Sequence, residues 1–134
     1  MTFRLQIVTP DGLAYEGEAE KVSVRTIEGE IGILARHIDY VSPLGMGEAV
    51  ILDGEGKERR AACIGGMVAV HNGNVRLVAT TFEWAEDIDL ERAKNAEQRA
   101  RDLMAREGIS ERDLKLAEAR LHRALVRQAV RRGL

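Results

Sequence analysis

Apolar and polar residues alternate in short runs over the first eighty residues of the chain. The runs are FRLQIV, KVSVRT, IGIL, EAVIL, AACIG, MVAVH and VRLVAT. Turn-forming segments lie between several of them: TPDG at residues 9–12, DGEG at 53–56 and HNGN at 71–74. An Asn-Gly pair between two such runs is typical of a tight β-hairpin. Short strands at this spacing predict an antiparallel β-sandwich or a flattened barrel.

The pattern becomes helical after residue 87. The segment DLERAKNAEQRARDLMARE contains no Gly or Pro and consists mostly of residues with high helix propensity. Asp89 is expected to cap a first helix at its start, and Gly108 to end it. Ser110, followed three residues later by Asp113, predicts the start of a second helix that continues to about residue 132. The two helices should form an antiparallel hairpin.

The apolar stripes of the two predicted helices are narrow and consist largely of alanine. Small side chains allow a close approach but contribute little burial, at roughly 25 cal/mol per Å². Helices of about 20 residues are marginal in water without a partner, so a hairpin held this lightly can open. The fold class is therefore α+β, with a sandwich over residues 1–84 and a hairpin over 85–134. The stripe residues are Ala93, Ala96, Ala100, Leu103, Met104, Leu114, Ala117, Leu121 and Ala124.

Charge divides the chain at the same place. Residues 1–87 hold 8 basic and 14 acidic side chains, a net charge of −6, whereas residues 88–134 hold 12 basic and 8 acidic ones, a net charge of +4. The two halves should therefore prefer different partners.

A length of 134 residues excludes a large multidomain enzyme. The single cysteine, Cys63, lies in an apolar run and is expected to pack as a small buried residue. No stretch approaches the roughly 20 apolar residues of a membrane span, so no membrane insertion is expected.

The segment EDIDLERA at residues 86–93 is the first candidate site. Asp89 and Arg92 are three residues apart and share one face of the first helical turn. One interpretation is a capping aspartate with a local ion pair. The other is half of an anion-binding site.

Arg123 and Arg127 form a second candidate site on the other helix. Their spacing of four residues puts both on one face, where two guanidinium groups can hold a phosphate. The alternative is a solvated basic face. An antiparallel return brings residues 123–127 back beside residues 92–96, so both basic elements could face one anion.

Other chemistry is excluded by spacing. GEIGIL at residues 29–34 lacks the GxxxxGK[ST] pattern of a phosphate-binding loop. His37, His71 and His122 lie in unrelated contexts, no ligand cluster has metal-site spacing, and Cys63 lacks a neighbouring base. We therefore expect no catalytic residues and no metal site. Glu30 and His37 could be contact residues or ordinary surface residues.

Four motifs in order resemble the epsilon subunit of bacterial F-type ATP synthases over essentially the whole chain. They are VTPDG at residues 8–12, EGEIGIL followed by His37 at 28–37, IGGMVAV at 64–70 and EDIDLERA at 86–93. The family commonly has Pro-Gly before the histidine, where this sequence has Ala35 and Arg36. The resemblance implies a sandwich of about ten strands that docks on the gamma subunit and the c ring. It also implies that Glu30 and His37 face those partners.

The resemblance further implies a regulatory function for the hairpin. In this family the hairpin lies folded on the sandwich or extends along gamma into the catalytic alpha/beta head, where it inhibits ATP hydrolysis. The protein would be a non-catalytic rotor subunit at the cytoplasmic face of the plasma membrane, driven by protons or sodium ions. A basic face would reach the head in the extended state; its residues are Arg120, Arg123, Arg127, Arg131 and Arg132.

Some bacterial members bind ATP on the folded hairpin through an [IL]DxxRA motif. ATP would then be a regulatory ligand, with or without Mg²⁺, and no cofactor is required. By position the motif residues and their helix-two partners are Glu83, Ile88, Asp89, Arg92, Ala93, Arg123 and Arg127.

Three hypotheses follow from the sequence. The first is the rotor subunit, and the second is a free-standing ATP-sensing module without a rotor role. The third is a nucleic-acid binder that uses the basic last helix. The net charge of −6 in the first half and the low aromatic content, 4%, argue against nucleic acid.

Overall fold

The computed structural model describes residues 1–133, and the chain divides into a compact unit Met1–Trp84 and a second that begins at Ala85. The division falls where the sequence changes from β-type to helical texture. The first unit contains seven strands, and the second begins with a 3₁₀ turn at Ala85–Asp87. The strands are β1 Phe3–Thr9, β2 Gly12–Thr26, β3 Gly29–Leu34, β4 Tyr40–Pro43, β5 Met46–Asp53, β6 Glu58–His71 and β7 Asn74–Trp84; the helices are α1 Leu90–Met104 and α2 Glu111–Arg132.

The strands of the first unit close on themselves. The order β1-β7-β6-β5-β2 returns to β1 because β2 pairs with β1 as well as with β5, while β3 extends from β2 and β4 pairs with β6. All pairings are antiparallel except β1–β7, which is parallel. The predicted antiparallel sandwich is confirmed, and this one parallel pairing is a detail that the hydrophobic pattern does not predict. Successive antiparallel steps around the ring leave β1 and β7 pointing the same way, so the pairing that closes it is parallel.

The strand count is lower than the ten that the family resemblance implies, because two strands are long. β2 has 15 residues and β6 has 14. The runs AACIG and MVAVH, which the pattern separates, are one continuous strand in which Gly65 and Gly66 have φ values of 72° and 109°. At this point β6 changes its neighbour from β5 to β4. Strand β4 is too short to show in the hydrophobic pattern.

The predicted turns of the first unit are confirmed. β1 and β2 are joined by the two residues after Thr9, and β6 and β7 by Asn72 and Gly73. Asn72 and Gly73 have φ values of 50° and 78°, as the tightest hairpin turn requires. Asn-Gly provides this conformation at low steric cost. The two-residue turn fixes the pairing register of β6 and β7, so that their apolar residues lie on the same face.

Alternation along the strands builds the core of the first unit. In β1, Phe3, Leu5 and Ile7 are buried while the residues between them are more exposed. The same period in β7 buries Val75 and Leu77. Cys63 is buried with them, and burial raises the pKa of its thiol to about 12. The cysteine therefore packs as a small apolar side chain, as predicted.

Both helices of the second unit begin at their predicted caps. The Arg92 backbone N–H donates to Asp89 Oδ1 over 3.1 Å, and the Asp113 N–H donates to Ser110 Oγ over 3.1 Å. The predicted end of α1 is wrong: the helix stops at Met104, and Gly108, with a φ of 71°, lies in the connecting loop. Residues 105–107 are exposed, so no packing extends the helix to the glycine.

The alanine seam between the helices is present. Its buried residues are Ala93 and Ala100 of α1 and Ala117, Ala124 and Gln128 of α2. Val130 is also buried, but on another side of α2, because it lies two residues after Gln128 at about 100° per residue. The larger stripe residues are only half-buried. Within residues 1–133, no helix is long and apolar enough to cross a membrane.

The loop after β3 retains a left-handed residue despite its unusual sequence. Arg36 has a φ of 66°, a conformation that glycine adopts most easily. The position that precedes His37 is therefore left-handed although the sequence provides no glycine there.

Replacement of Gly66 by alanine should destabilise the sandwich strongly. A Cβ at this position would overlap the Val78 carbonyl oxygen and approach Ala79 Cα to 2.9 Å, at a φ that disfavours L-residues. We expect Gly66→Ala to lower the free energy of unfolding by at least about 3 kcal/mol. Urea unfolding followed by fluorescence of Trp84, the only tryptophan, measures the loss.

Gly12→Ala is the matched control, because Gly12 has a φ of 118° with no atom within 4 Å of the added Cβ. It should cost only the conformational part, about 1–2 kcal/mol. Equal losses of stability in the two variants would show that the close approach of β6 and β7 is not the reason why position 66 requires glycine.

Candidate functional site

The start of α1 is defined by Asp89 as an N-cap rather than by a local ion pair. The carboxylate accepts a backbone hydrogen bond, and the Asp89 carbonyl accepts the first helical bond from the Ala93 N–H over 3.0 Å. The Arg92 side chain is exposed, and its guanidinium makes no ion pair with any residue in the range 1–133. The capping interpretation is therefore confirmed for the N-cap at Asp89, and the ion pair between Asp89 and Arg92 is absent from the described residues.

The antiparallel return of α2 brings its last third beside the start of α1, as the sequence predicts. Gln128 Nε2 donates to Glu97 Oε1 over 2.8 Å and lies 3.5 Å from the Ala93 carbonyl oxygen. Glu97 Oε2 also accepts from Arg101 Nε over 2.8 Å. Residues 93–97 and 128 are thus neighbours across the seam.

A cleft of about 580 Å³ opens between the two helices. Its apolar floor consists of Ala96, Ala100 and Leu103 of α1. The volume lies in the range of small-molecule sites. The polar residues that line it are Arg99 and Asp102 of α1, Arg106 of the loop that follows α1, and Arg120, Arg123 and Arg127 of α2.

The cleft is strongly basic. Five guanidinium groups and one carboxylate line it, and that carboxylate, on Asp102, accepts a hydrogen bond from Gln98 Nε2 over 2.9 Å. Arginine groups from two helices that converge on a concave surface suit a ligand with several negative charges, such as a chain of phosphates. Arg123 and Arg127 are half-buried, which reduces screening by solvent.

Sequence reasoning missed Arg99 and Arg106 as cleft residues. A signal exists for Arg99: it lies seven residues after Arg92, close to two helical turns, so the two share one face of α1. Arg106 continues the same spacing but lies in the loop after α1. Arg92 lies nearest the start of the helix and is outside the cleft lining.

The predicted residues of the ATP site fall into separate groups. Arg123 and Arg127 line the cleft, whereas Ile88 and Ala93 are buried near the start of α1. Asp89 is the exposed N-cap. Glu83 belongs to β7 of the sandwich, opposite Ala62. The assignment of these residues to ATP stays a prediction.

The predicted inhibitory basic face is divided by the cleft. Arg120, Arg123 and Arg127 line it, while Arg131 and Arg132 lie beyond it at the end of α2. Arg132 is also turned to another side of the helix, since it follows Arg131 directly at about 100° per residue.

On the sandwich, Glu30 and His37 lie toward opposite ends of β3. Glu30 is exposed and pairs in register with Arg25 of β2. The His37 ring lies edge-on to Tyr40, with centroids 6.0 Å apart, and its Nδ1 lies 2.8 Å from the Ile38 carbonyl oxygen. The histidine is thereby oriented by its own loop.

Large apolar side chains are exposed around this loop. Leu34, Ile38 and Val41 have relative exposures of 57%, 77% and 65%. Such a group of exposed apolar residues is typical of a surface that contacts another protein. In the part of the chain that the structure describes, no group of three or more His, Cys, Asp or Glu side chains is arranged to hold a metal ion.

Comparisons with known proteins give one consistent similarity. Residues 2–85 match the family model for the ATP synthase delta/epsilon chain β-sandwich domain, and residues 86–130 match that for its long α-helix domain. The chain is 46% identical over 129 residues to the ATP synthase epsilon chain of Shouchella clausii, covering 96% of this chain and 94% of that one. It is 36% identical over 127 residues to that of Clostridium novyi, covering 94% and 95%.

Solved structures are similar along the same length. A chain in the cryo-EM structure of the Euglena gracilis mitochondrial ATP synthase, with OSCP, F1 and the c-ring, matches with a TM-score of 0.84 and 25% identity over 96% of this chain and 80% of that one. A chain of the Tetrahymena thermophila mitochondrial ATP synthase shares the fold, with a TM-score of 0.62 and 14% identity over 96% and 95%.

The contact between Glu97 and Gln128 should make the hairpin sensitive to acid. Hydrogen bonds from Gln128 and then Arg101 lower the pKa of Glu97 below its ordinary value of 4.5. Because the folded pKa is lowered, the stabilising effect is complete above about pH 4.5 and is lost as the pH falls through the lowered pKa. Circular dichroism of wild type and Glu97→Gln between pH 6 and 3 should therefore show a smaller acid-induced loss of helix in the variant. Glu107→Gln, at an exposed position in the connecting loop, is the control; an identical acid profile for all three proteins would contradict the prediction.

Proposed function

The chain belongs to the ATP synthase delta/epsilon family, and we propose that it serves an ATP synthase as a rotor subunit without catalytic chemistry of its own. The relatives are epsilon chains, so the family recognised from the sequence is confirmed, as is the α+β class of sandwich and hairpin. The complex would be driven by protons or sodium ions, with this subunit peripheral at the cytoplasmic face of the plasma membrane.

The proposed partners of the sandwich are the gamma subunit and the c ring. Support comes from the loop after β3, where exposed apolar side chains surround the oriented His37. Exposed Glu30 at the other end of β3 offers a charged contact. We assign Glu30 and His37 to this contact surface.

The proposed regulatory function of the hairpin rests on one observation: the cleft between α1 and α2 is lined by arginines of both helices. An anion in this cleft contacts both helices only while they lie together. ATP, which carries three linked phosphates, fits the charge and the volume. The proposed site combines Arg123 and Arg127 with the predicted residues near the start of α1.

ATP would act by shifting a population. Ligand that binds only the folded hairpin stabilises it by RT ln(1 + [L]/Kd), about 2.7 kcal/mol at a hundredfold excess over Kd. The alanine seam contributes little burial, so a shift of this size can decide between folded and extended states. When ATP falls, the released hairpin would extend along gamma toward the alpha/beta head and inhibit hydrolysis. The basic face, Arg120, Arg123, Arg127, Arg131 and Arg132, would contact acidic surfaces there.

A second candidate is a free-standing ATP-sensing module. The cleft alone would explain such a module, but the exposed apolar residues around His37 would then have no purpose. Affinity for gamma distinguishes the two.

Reconstitution from purified subunits tests the rotor function. Coexpressed gamma and this chain should elute together at equal stoichiometry, and the chain should inhibit ATP hydrolysis by the assembled catalytic head at low ATP. Changing the five arginines of the basic face to glutamine should weaken inhibition without loss of gamma binding, because the sandwich is unchanged. Elution of the wild-type chain alone would rule out the rotor subunit, and unchanged inhibition by the variant would rule out an electrostatic contact with the head.

Calorimetric titration of the isolated full chain with ATP, with and without Mg²⁺, tests the cleft. Wild type should bind saturably, and Arg123→Ala/Arg127→Ala should bind at least about tenfold more weakly, since charge-assisted hydrogen bonds from both side chains are removed. Arg92→Ala measures whether the start of α1 takes part.

The control is Arg112→Ala/Lys115→Ala, which removes the same charge from exposed positions of α2 outside the cleft. It should bind like wild type. An equal loss of ATP affinity in both double variants would show that the effect comes from net charge and not from the cleft. If the wild-type chain does not bind ATP up to millimolar concentration, the hairpin has no nucleotide ligand.

A further inference from the structure

Gln128 is an exception in the seam of the hairpin. Its neighbours in the seam are alanines, yet this amide side chain is only 4% exposed. Buried amides lower the free energy of folding only when their hydrogen bonds are made. Here the Nε2 group donates to a carboxylate on the facing helix, Glu97, at 2.8 Å.

The alanines of the seam cannot set the alignment of the two helices by themselves. Ala93, Ala100, Ala117 and Ala124 present nearly identical small surfaces, so a shift of one helix along the other loses little packing. In coiled coils, a single buried polar contact fixes register at such an interface, because a misaligned partner leaves it unsatisfied. Gln128 and Glu97 have the chemistry for this role.

The contact is part of a short chain of hydrogen bonds. Arg101 Nε donates to Glu97 Oε2, while Glu97 Oε1 accepts from Gln128. Gln128 Nε2 also lies 3.5 Å from the Ala93 carbonyl oxygen. The Arg101 bond holds the carboxylate in the orientation that Gln128 requires, and the bond between Gln128 and Glu97 crosses from α2 to α1.

We propose that Gln128 and Glu97 form a latch that aligns α2 with α1 in the folded hairpin and so positions the arginines of the cleft. The inference rests on the proposed regulatory function and deepens it. Gln128 follows Arg127 directly, and Arg99 lies two residues after Glu97. The latch therefore sets the height at which arginines of the two helices face each other.

The latch suits a hairpin that opens reversibly. When the helices separate, water replaces the partner of each polar group, so the contact specifies alignment without making opening prohibitive. An apolar residue at position 128 would not discriminate between alignments, and it would leave Glu97 without its partner on α2. The amide stabilises only the one in which Glu97 is opposite.

Hydrogen exchange of the full chain without nucleotide tests the latch directly. Gln128→Met keeps the length of the side chain and removes the donor, and it should speed exchange of α1 and α2 amides by about tenfold. Glu97→Met should do the same, and the double variant should be no worse than either single one. Glu97→Gln retains an acceptor and should lie closer to wild type.

Gln98→Met is the matched control, because Gln98 is exposed and its amide bonds within α1, to Asp102. Exchange in this variant should equal that of wild type. Wild-type exchange in Gln128→Met, or additive effects in the double variant, would overturn the latch.

Titration of the same variants with ATP separates the latch from the nucleotide site. Gln128→Met should bind about tenfold more weakly although every cleft arginine is retained. Faster exchange with unchanged affinity would overturn the positioning of the arginines. A third outcome is faster exchange in Gln128→Met while the wild-type chain binds no ATP. It would confirm that the latch aligns the helices and would refute its role in positioning the arginines for ATP. The failure would then be that of the proposed nucleotide ligand and not of the latch.

Discussion

The small size of the side chains between α1 and α2 is the constraint on which the hairpin depends. Alanines at the seam let two helices approach closely, and they leave little apolar surface to hold them there. Every other feature of this unit compensates for or exploits that condition. Caps at Asp89 and Ser110 satisfy the helix starts, and the contact of Gln128 with Glu97 gives the seam an alignment that alanines do not provide.

The sandwich is built on the opposite condition. Its core contains fully buried Leu, Ile and Val side chains, and its sheet closes through β1, so that the core strands have neighbours on both sides. Sites of close approach, such as Gly66 against β7, require glycine. A unit of this kind is suited to a constant docking surface, and a lightly held hairpin is suited to change. The family contains both in one chain.

Electrostatics would connect the hairpin to the proposed anionic ligand. Five arginines around one cleft repel each other when no anion is present, and Asp102 is the single acid among the lining residues. This repulsion opposes the packing of α1 against α2, which the alanine seam favours only weakly. In the proposed function, an anion that enters the cleft would replace repulsion with attraction, so the same charges would couple binding to closure. Separation of like charges would also favour the opened state at low ligand concentration.

The sequence by itself determined the elements whose causes are local. Caps at Asp89 and Ser110, the Asn72-Gly73 turn, the alternation of β1 and the change to a helical pattern after residue 87 all depend on residues within one turn or strand. The same local logic located Arg123 and Arg127 on one helical face. The family resemblance added the partners and the ATP motif, which local patterns do not contain.

Tertiary structure decided what depends on pairs distant in sequence. The parallel pairing of β1 with β7 follows from closure of the whole ring, and the continuity of β6 through Gly65 and Gly66 follows from its change of neighbour. Arg99 and Arg106 became cleft residues only when α2 returned beside α1. Gln128 reads in sequence as one more polar residue of a basic helix. Its role is visible only when Glu97, 31 residues away, is opposite, because a hydrogen bond between helices is a property of their alignment and not of either helix alone.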